Sequence, residues 1–206
     1  MNFLAHVFLG NAQPAAIVGQ LCGDFVRGSA LDGFSVPVQA AIRHHRAVDS
    51  FTDRHEINLA ARELFSAPHR RFAGIIVDVV YDHFLAMDWD RYSDVPLEEY
   101  VALVHESLAS HQPMLPATLK RFAPILESEE ILQNNRHRAH IDLTLRRLSQ
   151  RRRSMQPLAT AAPHLWRNEA KLKQAFDEFF PELIAFSESH RSRQSHPDKG
   201  KERAGE

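Results

Sequence analysis

Cysteine is almost missing from this chain. Cys22 stands alone among 206 residues, which excludes an internal disulfide and fits a reducing compartment. Its neighbours are apolar and nothing marks it as activated, so it reads as a packing residue rather than a nucleophile. No apolar run approaches the roughly 20 residues that span a bilayer, and no basic leader followed by an apolar stretch opens the sequence. The expectation is a cytoplasmic protein with no membrane partner. Glycine is sparse, at 8 residues, and two-residue Gly turns between alternating apolar stretches are scarce, which argues against hairpins and sheets. Net charge is only −1, so the overall field selects no partner of one sign. No internal repeat and no long Gly/Ser linker divides the chain.

What is present is helical patterning. Apolar residues recur at three- and four-residue intervals, and hydrophobic content of 44% over this length suffices for one full core. Successive helices are predicted over 2–9, 14–26, 37–53, 55–65, 69–87, 96–111, 116–127, 128–135, 141–149, 157–162 and 166–188. Pro37, Pro96, Pro116 and Pro157 fall at helix starts, where a missing amide hydrogen costs least. The predicted fold is all-α, a single compact domain over residues 1–188. From Ser189 the chain has no large apolar residue, and 189–206 is expected to be a disordered polar tail.

Chemistry concentrates in two segments. Asp78-Val79-Val80-Tyr81-Asp82-His83 sets two carboxylates four residues apart inside an apolar run, on one face of a helix, where they repel unless something positive lies beside them. His45, Asp49 and Asp53 follow at i, i+4 and i+8, aligning an imidazole and two carboxylates in one stripe. Imidazole with carboxylate oxygen suits first-row divalent ions such as manganese, iron or zinc, whereas oxygen alone points to magnesium or calcium. The alternative in each case is a solvated charged face with local ion pairs, such as Arg46 to Asp49 or Asp53. His6 and Asp24 are polar groups in apolar surroundings. A lone histidine there is more often a satisfied core residue than a ligand. A buried carboxylate, by contrast, needs a partner. Between Arg136 and Arg153 lie Arg136, Arg138, Arg146, Arg147, Arg151, Arg152 and Arg153 against one acid, Asp142. Such a run is either a solvated face or a site for something anionic.

The opening Met1-Asn2-Phe3-Leu4-Ala5-His6, then Gly23-Asp24-Phe25-Val26-Arg27-Gly28, His45-Arg46-Ala47-Val48-Asp49 with Thr52-Asp53, and Asp78 to Leu85 resemble the bacterial acyl carrier protein phosphodiesterases. The similarity continues through Asn135-Arg136, Leu148-Ser149 with Arg151-Arg152, and Phe179-Phe180-Pro181, covering roughly residues 1–186. The resemblance implies a hydrolase that removes 4′-phosphopantetheine from holo acyl carrier protein, and a rearranged relative of the all-helical HD-type metal phosphohydrolases. Two departures stand out. The HD doublet is reversed here, as Asp82-His83, and Arg43-His44-His45 replaces a His-x-His pattern.

On that resemblance the expected metal ligands are Asp24, His45, Asp49, Asp82 and His83, with Asp78, Asp53 and His6 behind them or in proton transfer. The cofactor is a divalent metal, manganese foremost, with magnesium or iron as alternatives. Arg27 or Arg46 would hold the phosphate through a fork of donors. Arg146, Arg147, Arg151 and Arg152 would dock the acidic carrier protein, which is the expected partner in place of nucleic acid. Two other readings stand beside this one. One is a metal phosphohydrolase for a nucleotide or other small phosphoester; the other is a noncatalytic helical module binding through its arginine face.

Overall fold

The computed structural model describes residues 2–29 and 31–195. All regular elements among them are helical: α1 (Phe3–Leu9), α2 (Pro14–Cys22), α3 (Val36–Arg54), α4 (Glu56–Glu63), α5 (Ala73–Met87), α6 (Leu97–Ser110), α7 (Ala117–Ser128), α8 (Ile131–Asn134), α9 (Arg138–Gln150), α10 (Ala162–Arg167) and α11 (Glu169–Ser195), with short 3-10 turns between some of them. None is long and apolar enough to cross a membrane. Elements start within a few residues of the expected places. The predicted helix at 69–87 begins as a 3-10 turn over Arg70–Phe72, and the one at 157–162 is a 3-10 stretch over Arg153–Thr160.

Helix α5 is the centre of the arrangement. Its apolar residues occupy every side, so it has no solvent face along most of its length and is packed by α1, α4, α9 and α11. Tyr81 and Phe84 meet Phe176 of α11 at ring-centroid distances of 5.4 and 5.8 Å, and Phe176 stacks on Phe180. Fully burying each such side chain stabilises the fold by roughly 1.5–3 kcal/mol. These contacts make α11 the clamp of the core.

Two polar devices place α1. Its N-terminal cap residue, Asn2, makes no side-chain capping bond. Instead the carboxylate of Asp82, from α5, accepts the amide hydrogens of Leu4 at 2.8 Å and Ala5 at 3.0 Å, satisfying donors that a helix start leaves orphaned. At the other end the Leu9 carbonyl accepts from Ser187 Oγ at 2.7 Å and from the Arg191 guanidinium, both on α11. That second contact carries α11 beyond Ser189 to Ser195, into the segment expected to be a disordered tail; the rest of that segment, 196–206, lies outside the described residues.

Helices α2 and α3 lie unusually close. A Cβ on Gly19 would fall 2.4 Å from the Ala41 Cβ and 2.7 Å from the Val38 carbonyl oxygen, so only glycine permits this approach. The closeness brings the end of α2 against the His44-His45 turn of α3.

Candidate active site

His45 and Asp49 occupy successive turns of α3, and the i, i+4 spacing sets His45 Nε2 3.2 Å from Asp49 Oδ2. Helix α1 brings His6 over the same carboxylate, with its Nε2 3.0 Å from Asp49 Oδ1. The two imidazoles stack at a centroid distance of 3.7 Å and 22° between planes. Asp24, in the turn after α2, places Oδ1 3.7 Å from His45 Nε2. The turn reaches so far because Gly23 has no side chain: a Cβ there would lie 2.2 Å from His45 Cγ. Arg46 holds the same turn from α3 by donating Nη2 to the Val26 carbonyl at 3.0 Å.

Both histidines are buried, at 1% and 2% exposure, yet Nδ1 of His6 and Nδ1 of His45 make no hydrogen bond within the protein. Each buried polar group left so costs roughly 1–3 kcal/mol. Burial, and then the neighbouring His45, push His6 down to about 3, so its imidazole is neutral at physiological pH. Burial works to raise Asp49, but His45 and His6 beside it outweigh that and hold it well below the usual carboxylate range. Neutral imidazole and ionised carboxylate are the donor forms that ligate a divalent cation. One ligand atom from each of His6, His45 and Asp49 falls within 4.8 Å of the others. The cluster therefore fits a first-row divalent ion, and Asp24 borders it through His45.

Asp24 also lines a cleft of about 760 Å³ bounded by α1, α5, α7, α8 and α9. Asp78, on α5, faces the same cleft. Most of the remaining wall is apolar, including Phe3, Phe25, Phe122, Leu148 and Met155, while Thr118, Thr144, His140, Arg147 and Arg151 add polar positions.

The other expected residues lie elsewhere. Asp82 is fully buried with both oxygens engaged by the start of α1, and it stands outside the cluster. Burial pushes its carboxyl up to about 7 against those two amide hydrogen bonds, which favour the ionised form. His83 projects about 100° around α5 from Asp82, donating Nδ1 to the Asn135 carbonyl at 2.7 Å with Trp166 against its ring. Asp53 lies at the exposed end of α3 in an ion pair with Arg62 at 2.6 Å. Arg27 is exposed to solvent. In the arginine run, Arg136 pairs with Glu98, Arg138 with Glu169 and Arg147 with Glu129, whereas Arg146, Arg151, Arg152 and Arg153 are exposed and make no ion pair among the described residues. Burial pushes the Cys22 thiol up to about 12, in keeping with a packing role.

Sequence reasoning missed the aromatic lining of the cleft and the roles of Gly19 and Gly23. The one available signal was Phe25 directly following Asp24.

The family profile described as acyl carrier protein phosphodiesterase matches residues 1–183. A protein named acyl carrier protein phosphodiesterase from Photorhabdus laumondii is 32% identical over 192 residues, covering 92% of this chain and 96% of that protein. One of the same name from Escherichia coli O157:H7 is 34% identical over 186 residues, covering 90% and 96%. A third, from Yersinia enterocolitica, is 32% identical over 186 residues with the same coverage. No solved structure matches. With a profile match over nearly all of the described residues and relatives aligned along almost their full length, the chain belongs to the acyl carrier protein phosphodiesterase family.

Proposed function

We propose that this protein hydrolyses the phosphodiester joining 4′-phosphopantetheine to the serine of holo acyl carrier protein, giving apo carrier protein and free 4′-phosphopantetheine. The observation that carries the reading is one cleft whose carboxylate end adjoins buried imidazoles with unpartnered nitrogens, and whose remaining wall mixes apolar and polar positions, as suits a long arm of methyl, methylene and amide groups. His6, His45 and Asp49, with Asp24 bordering them, would hold a divalent cation, manganese foremost. Bound there, it supplies charge neutralisation at the phosphoryl oxygens and lowers the pKa of water from 15.7 towards about 7.

The remaining steps belong to the chain. Asp78 faces the cleft beside Asp24 and takes or orients the proton of the attacking water. The cleft aligns the arm, so the departing serine oxygen lies at the mouth with the carrier protein outside. Arg146, Arg152 and Arg153, exposed, offer the carrier's acidic surface a complementary face; Arg151 reaches into the cleft wall.

Mass spectrometry of holo carrier protein incubated with the enzyme and manganese tests the reading. The expected result is loss of the phosphopantetheine mass, abolished by a chelator, while nucleotides and small phosphoesters offered in parallel are spared. An intact arm after prolonged incubation with metal present refutes it.

A further inference from the structure

Three aromatic rings line the cleft at the side from which Asp24 enters it. Phe3 lies on α1 less than one turn before His6, Phe25 directly follows Asp24, and Phe122 reaches across from α7. Phe3 and Phe25 are parallel, 1° apart in plane with centroids 6.3 Å apart, and Phe122 lies 5.3 Å from Phe3 and 6.0 Å from Phe25. All three line the cleft and are only half-buried, so part of each ring faces its interior. The cleft wall next to Asp24 therefore presents a cluster of ring surface.

Resting on the phosphodiesterase reading above, we infer that Phe3, Phe25 and Phe122 form a subsite for the quaternary, gem-dimethyl carbon of the pantoyl segment. The chemistry of the arm fixes the register. From phosphorus the chain runs through the ester oxygen and one methylene to a carbon bearing two methyl groups. When the phosphoryl group lies at the His/Asp cluster, that branched carbon cannot be far from it, and the three rings occupy the adjoining wall. A compact branched hydrocarbon suits ring faces and edges that offer no hydrogen bond. A nucleotide places a ribose carbon with a ring oxygen at the same distance from phosphorus, and here that oxygen would lose water without gaining a partner. The subsite thus selects for the pantetheine arm against nucleoside phosphodiesters, three bonds from the phosphorus. Its effect falls on kcat/KM, because only a seated branch holds the ester against the cluster.

The test compares two carrier proteins, one with the natural arm and one with a synthetic arm whose quaternary carbon is an unbranched methylene. The wild-type enzyme should process the unbranched arm with kcat/KM at least about tenfold lower, the scale set by lost methyl groups in a hydrophobic pocket. Phe122→Ala should lose about tenfold on the natural arm, little further on the unbranched one, and nothing in manganese affinity by calorimetry. Phe25→Leu serves as a second variant. Equal wild-type rates on both arms, or undiminished discrimination in a folded Phe122→Ala enzyme, overturn the subsite. Should Phe122→Ala fail to fold, the wild-type comparison of the two arms decides alone. Failure of wild type to release even the natural arm refutes the phosphodiesterase reading instead, so the two failures are told apart.

Discussion

His44 and His45 are neighbours on one helix, equally buried, and opposite in every other respect. His44 faces the core with both nitrogens engaged: Gln20 Nε2 donates to Nδ1 at 2.7 Å, and Nε2 donates to Ser187 Oγ at 2.9 Å, which passes its own hydrogen to the Leu9 carbonyl. His45 faces the cleft end with Nδ1 unpartnered and Nε2 shared between two carboxylates. A closed chain of donors and acceptors specifies structure, whereas an open one leaves capacity for a ligand.

The sharpest way to break the contrast is to truncate the open member. His45→Ala or Asp49→Ala should lower kcat/KM for holo carrier protein by more than about a hundredfold, since removing mere supporting partners of metal ligands already costs 10–100-fold. Melting of the apo protein should change little, and a manganese titration should register the loss. Turnover near wild type would remove the residue from the site.

The closed member should fail in the other currency. His44→Leu leaves Gln20 and Ser187 without their partner in the core, and a destabilisation of about 2–3 kcal/mol is expected by urea unfolding. Activity of the folded fraction should stay within severalfold of wild type. A large fall in kcat with stability intact would erase the distinction between the two histidines.

Gly23→Ala pushes on the open ring without touching its donors. The new methyl would occupy space 2.2 Å from His45 Cγ, so the ring or the Asp24 turn must move, and manganese affinity should drop about tenfold. Gly33→Ala, with no atom within 4 Å, is the matched control and should be silent.

The smallest expected effect is a pH slope. Burial, and then the Arg191 and His190 charges, push His44 down to about 4 in the folded protein. Below the ordinary value of 6.5 the unfolded chain therefore binds a proton that the native one refuses. The stability linked to His44 is full above about pH 6.5 and declines as pH falls towards 4. His44→Leu should show a shallower decline across that window than wild type.

The helical class was readable because its signals are local: apolar spacing, prolines at starts, few turn residues. The proximity of His45 and Asp49 was readable for the same reason. Asp82 carries the same spacing from Asp78 and ended elsewhere, because α5 is buried on all sides and its carboxylates face different neighbours. Asp53 continued the stripe of His45 and Asp49, but α3 ends there and Arg62 takes the carboxylate. The convergence of His6 with α3 depends on α1 being set by α5 and α11, and the cleft on five separate helices. No window of sequence contains either.

Helix α1 is held at its first turn by a residue some eighty positions on, and at its last carbonyl by residues near position 190. During synthesis the His6 ring cannot be locked in register until nearly the whole polypeptide has left the ribosome. Nascent or C-terminally clipped chains would lack the contacts that hold the far end of α1, and with them the constraint that sets His6 over Asp49.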